Sequence, residues 1–111
     1  MKAAIYKGIG SMEIEDIAKP SAGAGELLVQ VKACAICGGD LRTFRHGHKA
    51  IHPPIVLGHE IAGVIVEAGE GVDRYKAGDR VIVAPGIGCG SCSYCLSGNQ
   101  NLCYTRKTIA H

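Results

Sequence analysis

Gly58-His59-Glu60-Ile61-Ala62-Gly63-Val64-Ile65-Val66-Glu67-Ala68 is the stretch that decides how this chain folds. Its run from Ile61 to Ala68 is rich in β-branched residues and bounded by glycines, which predicts a strand. Upstream, Glu26-Leu27-Leu28-Val29-Gln30-Val31-Lys32-Ala33 alternates with a period of two and predicts another. Downstream, a turn through Gly69 to Gly78 leads to a strand at Asp79-Arg80-Val81-Ile82-Val83-Ala84. The N-terminus adds a strand at Ala3-Ala4-Ile5-Tyr6, a Gly8-Ile9-Gly10 turn and an alternating Met12-Glu13-Ile14-Glu15. Pro20 to Gly25 reads as loop. Cys37 to Arg45 suggests a short helix with Asp40 in its first turn and Leu41 and Phe44 inward, although Gly38-Gly39 weakens it. His46 to Pro54 is loop, because Gly47 and Pro53-Pro54 break helix and central strand alike. Short strands at close spacing with glycine turns predict a mainly β fold, a barrel or a sandwich.

The 111 residues suit one domain, residues 1–111, which buries roughly 60–70% of its unfolded surface and folds with little margin. Sixteen glycines and no tryptophan, with 47% apolar residues, describe tight turns between aliphatic strands and not disorder. The net charge of +2 is spread over scattered lysines and arginines, which argues against a nucleic-acid partner. No apolar run reaches membrane-spanning length and Met1 to Lys7 lacks the core of a signal peptide, so the expected location is the cytoplasm. In such a reducing compartment six cysteines are better read as metal ligands or catalytic groups than as disulfides.

Four of those cysteines fall in an irregular lobe, residues 86–103, spaced Cys89-x2-Cys92-x2-Cys95-x7-Cys103. Zinc takes four thiolates in a tetrahedron at about 2.3 Å each. A Cys-x2-Cys step lets one turn aim two sulfurs at a point, and Gly88, Gly90 and Gly98 give the backbone the freedom to do so. Four sulfur ligands leave no position for water, so the site is structural. A redox pair or disulfides is the competing reading, but no thioredoxin-like βαβ pattern surrounds these cysteines. Alone, the cluster also suits a zinc-ribbon nucleic-acid binder or a zinc-stabilised binding module without turnover. After Cys103 the last eight residues begin one more strand.

Cys37 and His59 are candidates for a second site. Cys37 stands at the mouth of the predicted helix, where the dipole favours negative charge, and His59 lies between Gly58 and Glu60 at a strand start. Alone, such a cysteine is more often a core residue, and such a histidine a satisfied surface or core residue, than a ligand. Together with their surroundings they resemble something definite. Gly58-His59-Glu60-Ile61-Ala62-Gly63 with Gly69 and Val72, Ala33-Cys34-Ala35-Ile36-Cys37-Gly38-Gly39-Asp40, Gly78-Asp79-Arg80-Val81, and the cysteine lobe ending Asn101-Leu102-Cys103 follow one another in the order seen in the medium-chain zinc-containing alcohol dehydrogenase superfamily. The resemblance covers nearly the whole chain and implies that superfamily's N-terminal catalytic domain, a GroES-like β-barrel with short helices and a four-cysteine zinc lobe.

By motif position, the resemblance implies that Cys37 and His59 are ligands of a catalytic zinc and that Glu60 approaches it as an exchangeable ligand. Asp40 then holds the histidine from behind and fixes its tautomer, while Cys34 is a strand-end core cysteine without a ligand role. The implied chemistry is hydride transfer between a small alcohol or polyol and NAD or NADP. Three departures qualify it. Gly39 stands where a proton-relaying hydroxyl is usual, and Arg42 where a relay histidine often stands. No G-x-G-x-x-G fingerprint follows any strand, so the nucleotide-binding Rossmann domain is absent from these residues. The third protein ligand of the catalytic zinc belongs to sequence after His111. The expectation is therefore a filled structural zinc site and a catalytic one that is empty, part-filled or completed by Glu60 and water. The isolated chain is expected to be an inactive fragment that self-associates or binds a separately encoded Rossmann domain. His46, His48 and His52 read as solvated loop residues.

Overall fold

The computed structural model describes residues 1–109. In chain order its elements are β1 (Lys2–Gly8), β2 (Ser11–Asp16), β3 (Leu27–Ala35), α1 (Gly38–His46), β4 (Ile55–Val56), β5 (Glu60–Ala68), β6 (Arg80–Val83), β7 (Gly86–Ile87), α2 (Ser93–Leu96), a turn of 3-10 helix (Gln100–Leu102) and β8 (Lys107–Thr108). The strands form three antiparallel sheets, ordered β2-β1-β4, β3-β5-β6 and β7-β8. This is the mainly β architecture that the alternation and glycine spacing predict. β7, within the lobe read as irregular, is one strand that the sequence does not announce, and β4 is another. Two residues cannot establish a period, and they are extended because Ile55 pairs with Tyr6 and Val56 with Ile5.

The central strand of the second sheet is β5, and β3 runs against it from Leu27↔Ala68 to Ala35↔Glu60. Gly63 sits where these strands come closest. A Cβ there would stand 2.5 Å from the Gln30 carbonyl oxygen and 2.6 Å from Val29 Cγ1. At the far end of the pair, the Gly69 N–H donates to the Glu26 carbonyl at 2.9 Å and the Gly25 N–H to Glu70 at 2.8 Å, clamping the two turns together.

The buried apolar set is small: Ile5, Tyr6, Ile65, Cys95 and Cys103. Tyr6 carries α1. Its hydroxyl donates to the Thr43 carbonyl at 3.1 Å, and the Gly10 N–H donates to the Phe44 carbonyl at 2.8 Å. The helix therefore turns Thr43 inward, and Thr43 is its buried residue. That corrects the expectation that Leu41 and Phe44 point into a core: Leu41 is exposed and Phe44 half-buried. Both instead line an apolar cavity of about 440 Å³ with Cys34 and Leu57.

Cys34 corrects a second expectation. It lies at the end of β3 as read, but it is exposed and not core. The alternation of β3 likewise does not translate into an inside and an outside face, since every residue from Gln30 onward is exposed. β3 is an edge strand, and between it and α1 lies the open apolar cavity and not a packed core. Val31 is 52% exposed and Ile82 on β6 87%. The accessible surface of 7928 Å² compares with about 5,800 Å² for a compact chain of this mass. The radius of gyration, 15.4 Å, exceeds the roughly 13 Å usual at this length. Among the described residues no helix is long and apolar enough to cross a membrane.

The close approach at Gly63 makes a stability prediction. Gly63→Ala should lower the unfolding free energy by about 1–3 kcal/mol, the range for overpacking a tight site, measured by urea denaturation in zinc-containing buffer. Gly38→Ala, where an added Cβ meets nothing within 4 Å, should be neutral or slightly stabilising by helix propensity. Equal effects of the two substitutions would refute the packing argument.

Candidate metal centres

Two groups of metal-binding side chains converge among the described residues. The first is Cys89, Cys92, Cys95 and Cys103, whose sulfurs all lie within 4.8 Å of one another. Four sulfurs bound to one zinc at its usual bond length stand about 3.8 Å apart, and the Cys89 and Cys95 sulfurs are already at 4.0 Å. Local chain geometry achieves this. α2 begins directly after Cys92 and carries Cys95, and the 3-10 turn ends at Cys103. The β7–β8 pairing of Gly86 with Thr108 and Ile87 with Lys107 closes the lobe at its base. Gly90 and Gly98 hold positive φ of 77° and 81°, as the glycine spacing suggests. Gly88 is required for space instead: a Cβ there would lie 2.7 Å from the Cys95 sulfur.

Backbone donors face these sulfurs. The Cys89 N–H donates to Cys103 Sγ at 3.2 Å, and the Cys92 N–H to Cys89 Sγ at 3.4 Å. The Ser91 backbone N–H, its hydroxyl and the Cys92 N–H together pull the Cys89 thiol down to about 5. The Cys89 N–H lowers Cys103 in the same way. Cys95 goes the other way, pushed up to about 11 by desolvation. Buried sulfur without a countercharge stays protonated, and a cation at the centre of the four is what would reverse that. The donor set, spacing and oriented N–H groups all fit a structural zinc.

The second group is Cys37, His59 and Glu60, with one ligand atom from each within 4.8 Å of the others. Cys37 is the N-cap of α1, and its sulfur accepts from the Gly39 N–H at 3.3 Å. His59 and Glu60 stand at the start of β5. Asp40 joins the two elements. Its Oδ2 accepts from the Cys37 N–H at 2.9 Å, while Oδ1 lies 3.5 Å from His59 Nδ1. That second distance is an electrostatic contact and not a formed hydrogen bond, so Nδ1 is a buried polar atom with no hydrogen-bond partner. A histidine left in this state beside a carboxylate is set to bind through its other nitrogen, Nε2. Cys37 and His59 are half-buried and Glu60 is exposed. The donor set of thiolate, imidazole and carboxylate suits zinc.

The remaining candidates lie outside both groups. Cys34 has no ligand neighbour among the described residues, as expected. His46 closes α1 as its last residue, while His48 and His52 stand exposed in the loop that follows. Asn101 and Leu102 supply backbone to the lobe. Arg106 is the residue that the sequence does not flag. The Lys107–Thr108 strand and the Gly86 surface bring it beside α1 and His59, around a cavity of about 360 Å³. Nothing local in its sequence encodes that, because the placement depends on a pairing partner some twenty residues away.

The family described as the alcohol dehydrogenase GroES-like domain matches residues 23–111. A sorbitol dehydrogenase from Bacillus subtilis (strain 168) is 42% identical over 106 residues, covering 93% of this chain and 30% of that protein. An alcohol dehydrogenase from Geobacillus stearothermophilus is 43% identical over 116 residues, covering 100% of this chain and 34% of its own length. Among solved structures, a protein from Sinorhizobium meliloti 1021 named for a zinc-binding dehydrogenase, with NADP bound, superposes with a TM-score of 0.85 at 38% identity over 98% of this chain and 32% of that one. The chain thus spans about a third of the length of the relatives it matches. With the motifs in order, the fold superposable and the cysteine cluster assembled, the chain belongs to the alcohol dehydrogenase GroES-like domain family of the medium-chain zinc-type alcohol dehydrogenases, a family of oxidoreductases.

Proposed function

We propose that this chain is the catalytic-domain portion of a zinc-dependent alcohol or polyol dehydrogenase, the part that receives the alcohol in a hydride transfer with NAD or NADP. The observation that carries the reading is the meeting of Cys37, His59 and Glu60, with Asp40 bonded to the first and facing the second. Relatives named sorbitol dehydrogenase and alcohol dehydrogenase support the substrate class.

A zinc ion held by Cys37, His59 and Glu60 would supply Lewis acidity toward an alcohol oxygen. The chain's own residues prepare that position. Asp40 accepts from the Cys37 N–H and faces His59 Nδ1 at 3.5 Å, so one carboxylate stands behind both ligands. Glu60, exposed at the strand start, is free to approach or withdraw. Gly39 presents no hydroxyl, so a proton leaving the substrate has the Glu60 carboxylate and solvent as its acceptors. Cys89, Cys92, Cys95 and Cys103 would hold a second zinc with every position taken by sulfur, in a structural role.

On this reading residues 1–111 are one catalytic domain with its zinc lobe at 86–103. The nicotinamide cofactor is bound by a Rossmann domain beyond these residues, and the chain alone does not turn over. The match to one third of the relatives and the uncovered β3 and β6 surface support that division. A Rossmann domain, contiguous or separately encoded, is the natural cover for this surface, and a second copy of the chain the alternative one. Six unpaired thiols suit a reducing cytoplasm.

Metal analysis tests the assignment. The purified chain should hold one zinc that resists mild chelation and a second, weaker equivalent that disappears in Cys37→Ala. If both equivalents persist in Cys37→Ala and His59→Ala, the catalytic assignment is wrong. Asp40→Asn should weaken cobalt(II) binding at the triad about 10–100-fold, followed by visible absorption, while the four-thiolate band of the lobe is unchanged. An undiminished cobalt affinity would remove Asp40 from its positioning role. With sorbitol and NAD the 111-residue chain should show no absorbance change at 340 nm, and turnover would contradict the need for a further domain.

A further inference from the structure

The cavity of about 360 Å³ beside the triad has a wall that the proposed reaction does not use. α1 contributes Gly39, Asp40, Arg42 and Thr43, β5 is represented by His59, and the β7–β8 base brings Gly86 and Arg106. Its volume falls in the range of small-molecule sites, about 300–1,000 Å³. The cavity therefore runs from a residue of the triad to two arginines.

Among the described residues, the two arginines of this wall have no carboxylate partner. The ion pairs among the described residues are Lys2–Asp16, Lys7–Glu15 and His59–Asp40, and neither arginine takes part in one. The single carboxylate in the lining is Asp40, already engaged by the Cys37 N–H and by His59. Arg106 is held in place. Its stem lies over Gly86, where a Cβ would come within 2.9 Å of Arg106 Cδ, and Nη1 donates to the Asn101 carbonyl at 3.1 Å. One of its donor groups is thereby spent and the rest of the fork is left over. Gly39 puts no side chain into the space, and a Cβ there would meet only Cys37 Sγ, at 3.6 Å. Two guanidinium groups that lack carboxylates, on a concave wall next to metal ligands, match the planar recognition of carboxylate or phosphate.

We propose that this cavity is an anion subsite, in which Arg42 and Arg106 receive a carboxylate or phosphate carried by the molecule that reaches Cys37, His59 and Glu60. The ligand class is then an acidic polyol, or the phosphate of a cofactor, and a neutral polyol is the poorer fit. The proposal takes its choice of ligand from the dehydrogenase reading, but anion binding is measured without turnover and without metal at the triad. Failure of one therefore leaves the other to stand or fall by its own test.

The experiment is a titration of the ¹⁵N-labelled chain at constant ionic strength with D-gluconate, inorganic phosphate and sorbitol, read from amide shifts at Gly39, Thr43 and Gly86. Gluconate or phosphate should shift these amides saturably, and sorbitol should not. Arg42→Gln and Arg106→Gln should each weaken binding about tenfold, while Arg42→Lys, which keeps the charge but loses the planar fork, should fall between Arg42→Gln and the unsubstituted chain. Tighter gluconate binding assigns the subsite to the substrate's acid group; tighter phosphate binding assigns it to the cofactor, and either supports the proposal. Circular dichroism and lobe zinc content establish that each variant is folded, and if Arg42→Gln is not, Arg106→Gln and Arg42→Lys decide. Equal responses to sorbitol and gluconate, or anion shifts indifferent to both arginines, would overturn it.

Discussion

The candidate reaction centre depends on the register of one strand pair. β3 and β5 run antiparallel so that Cys34 faces Ile61 and Ala35 faces Glu60. Cys37 follows two residues after the end of one partner, and His59 precedes the other by one. Both therefore leave the sheet at the same end, and residues 37 and 59 become neighbours. A slip of one residue would turn the alternating side chains of either strand to the opposite face and separate the ligands. Gly63 holds the register from within, since only a residue without a Cβ lets the Gln30 carbonyl come so close. Asp40 then completes at the sheet's end what the ladder begins, joining α1 to β5 through one carboxylate.

The two cysteine-containing centres are built on different principles. In the lobe, all four sulfurs lie within fifteen residues, and short turns suffice to gather them. Its backbone N–H groups point at sulfur, so the segment is prepared for a cation before one arrives. Such a cluster couples metal binding to local order, which matters in a domain whose buried set is as small as this one's. The triad instead takes its ligands from a helix N-terminus and a strand start, and rests on the sheet already being formed.

The same sheet that positions the triad leaves much of itself bare. Edge position explains why β3 is exposed from Gln30 onward despite its alternating sequence, and β6 shows Ile82 to solvent on the other side. Alternation encodes two faces of a strand, but which face is covered depends on what packs against it. The accessible surface accordingly exceeds that of a compact chain of equal mass.

Much was legible in the sequence alone. The period-two pattern located β2 and β3, β-branched residues between glycines located β5, and short aliphatic runs located β1 and β6, while Gly38-Gly39 did not prevent α1, because Cys37 and Asp40 form a capping box around its first turn. The cysteine spacing located the zinc-type lobe, since ligands so close together need only local turns. What the sequence did not carry was whatever depends on a distant partner. β4 exists only against β1. Thr43, and not Leu41 or Phe44, became the inward residue of α1 because Tyr6 and the Gly8–Gly10 turn dock on it. Cys34 stayed outside a core because it borders the open apolar cavity that it lines with Leu41, Phe44 and Leu57. Arg106 reached the cavity beside His59 because β8 pairs with β7. Local chemistry is written in neighbouring residues, whereas burial, the meeting of Cys37 with His59 and the placing of Arg42 and Arg106 around one cavity belong to contacts between segments that only the folded chain brings together.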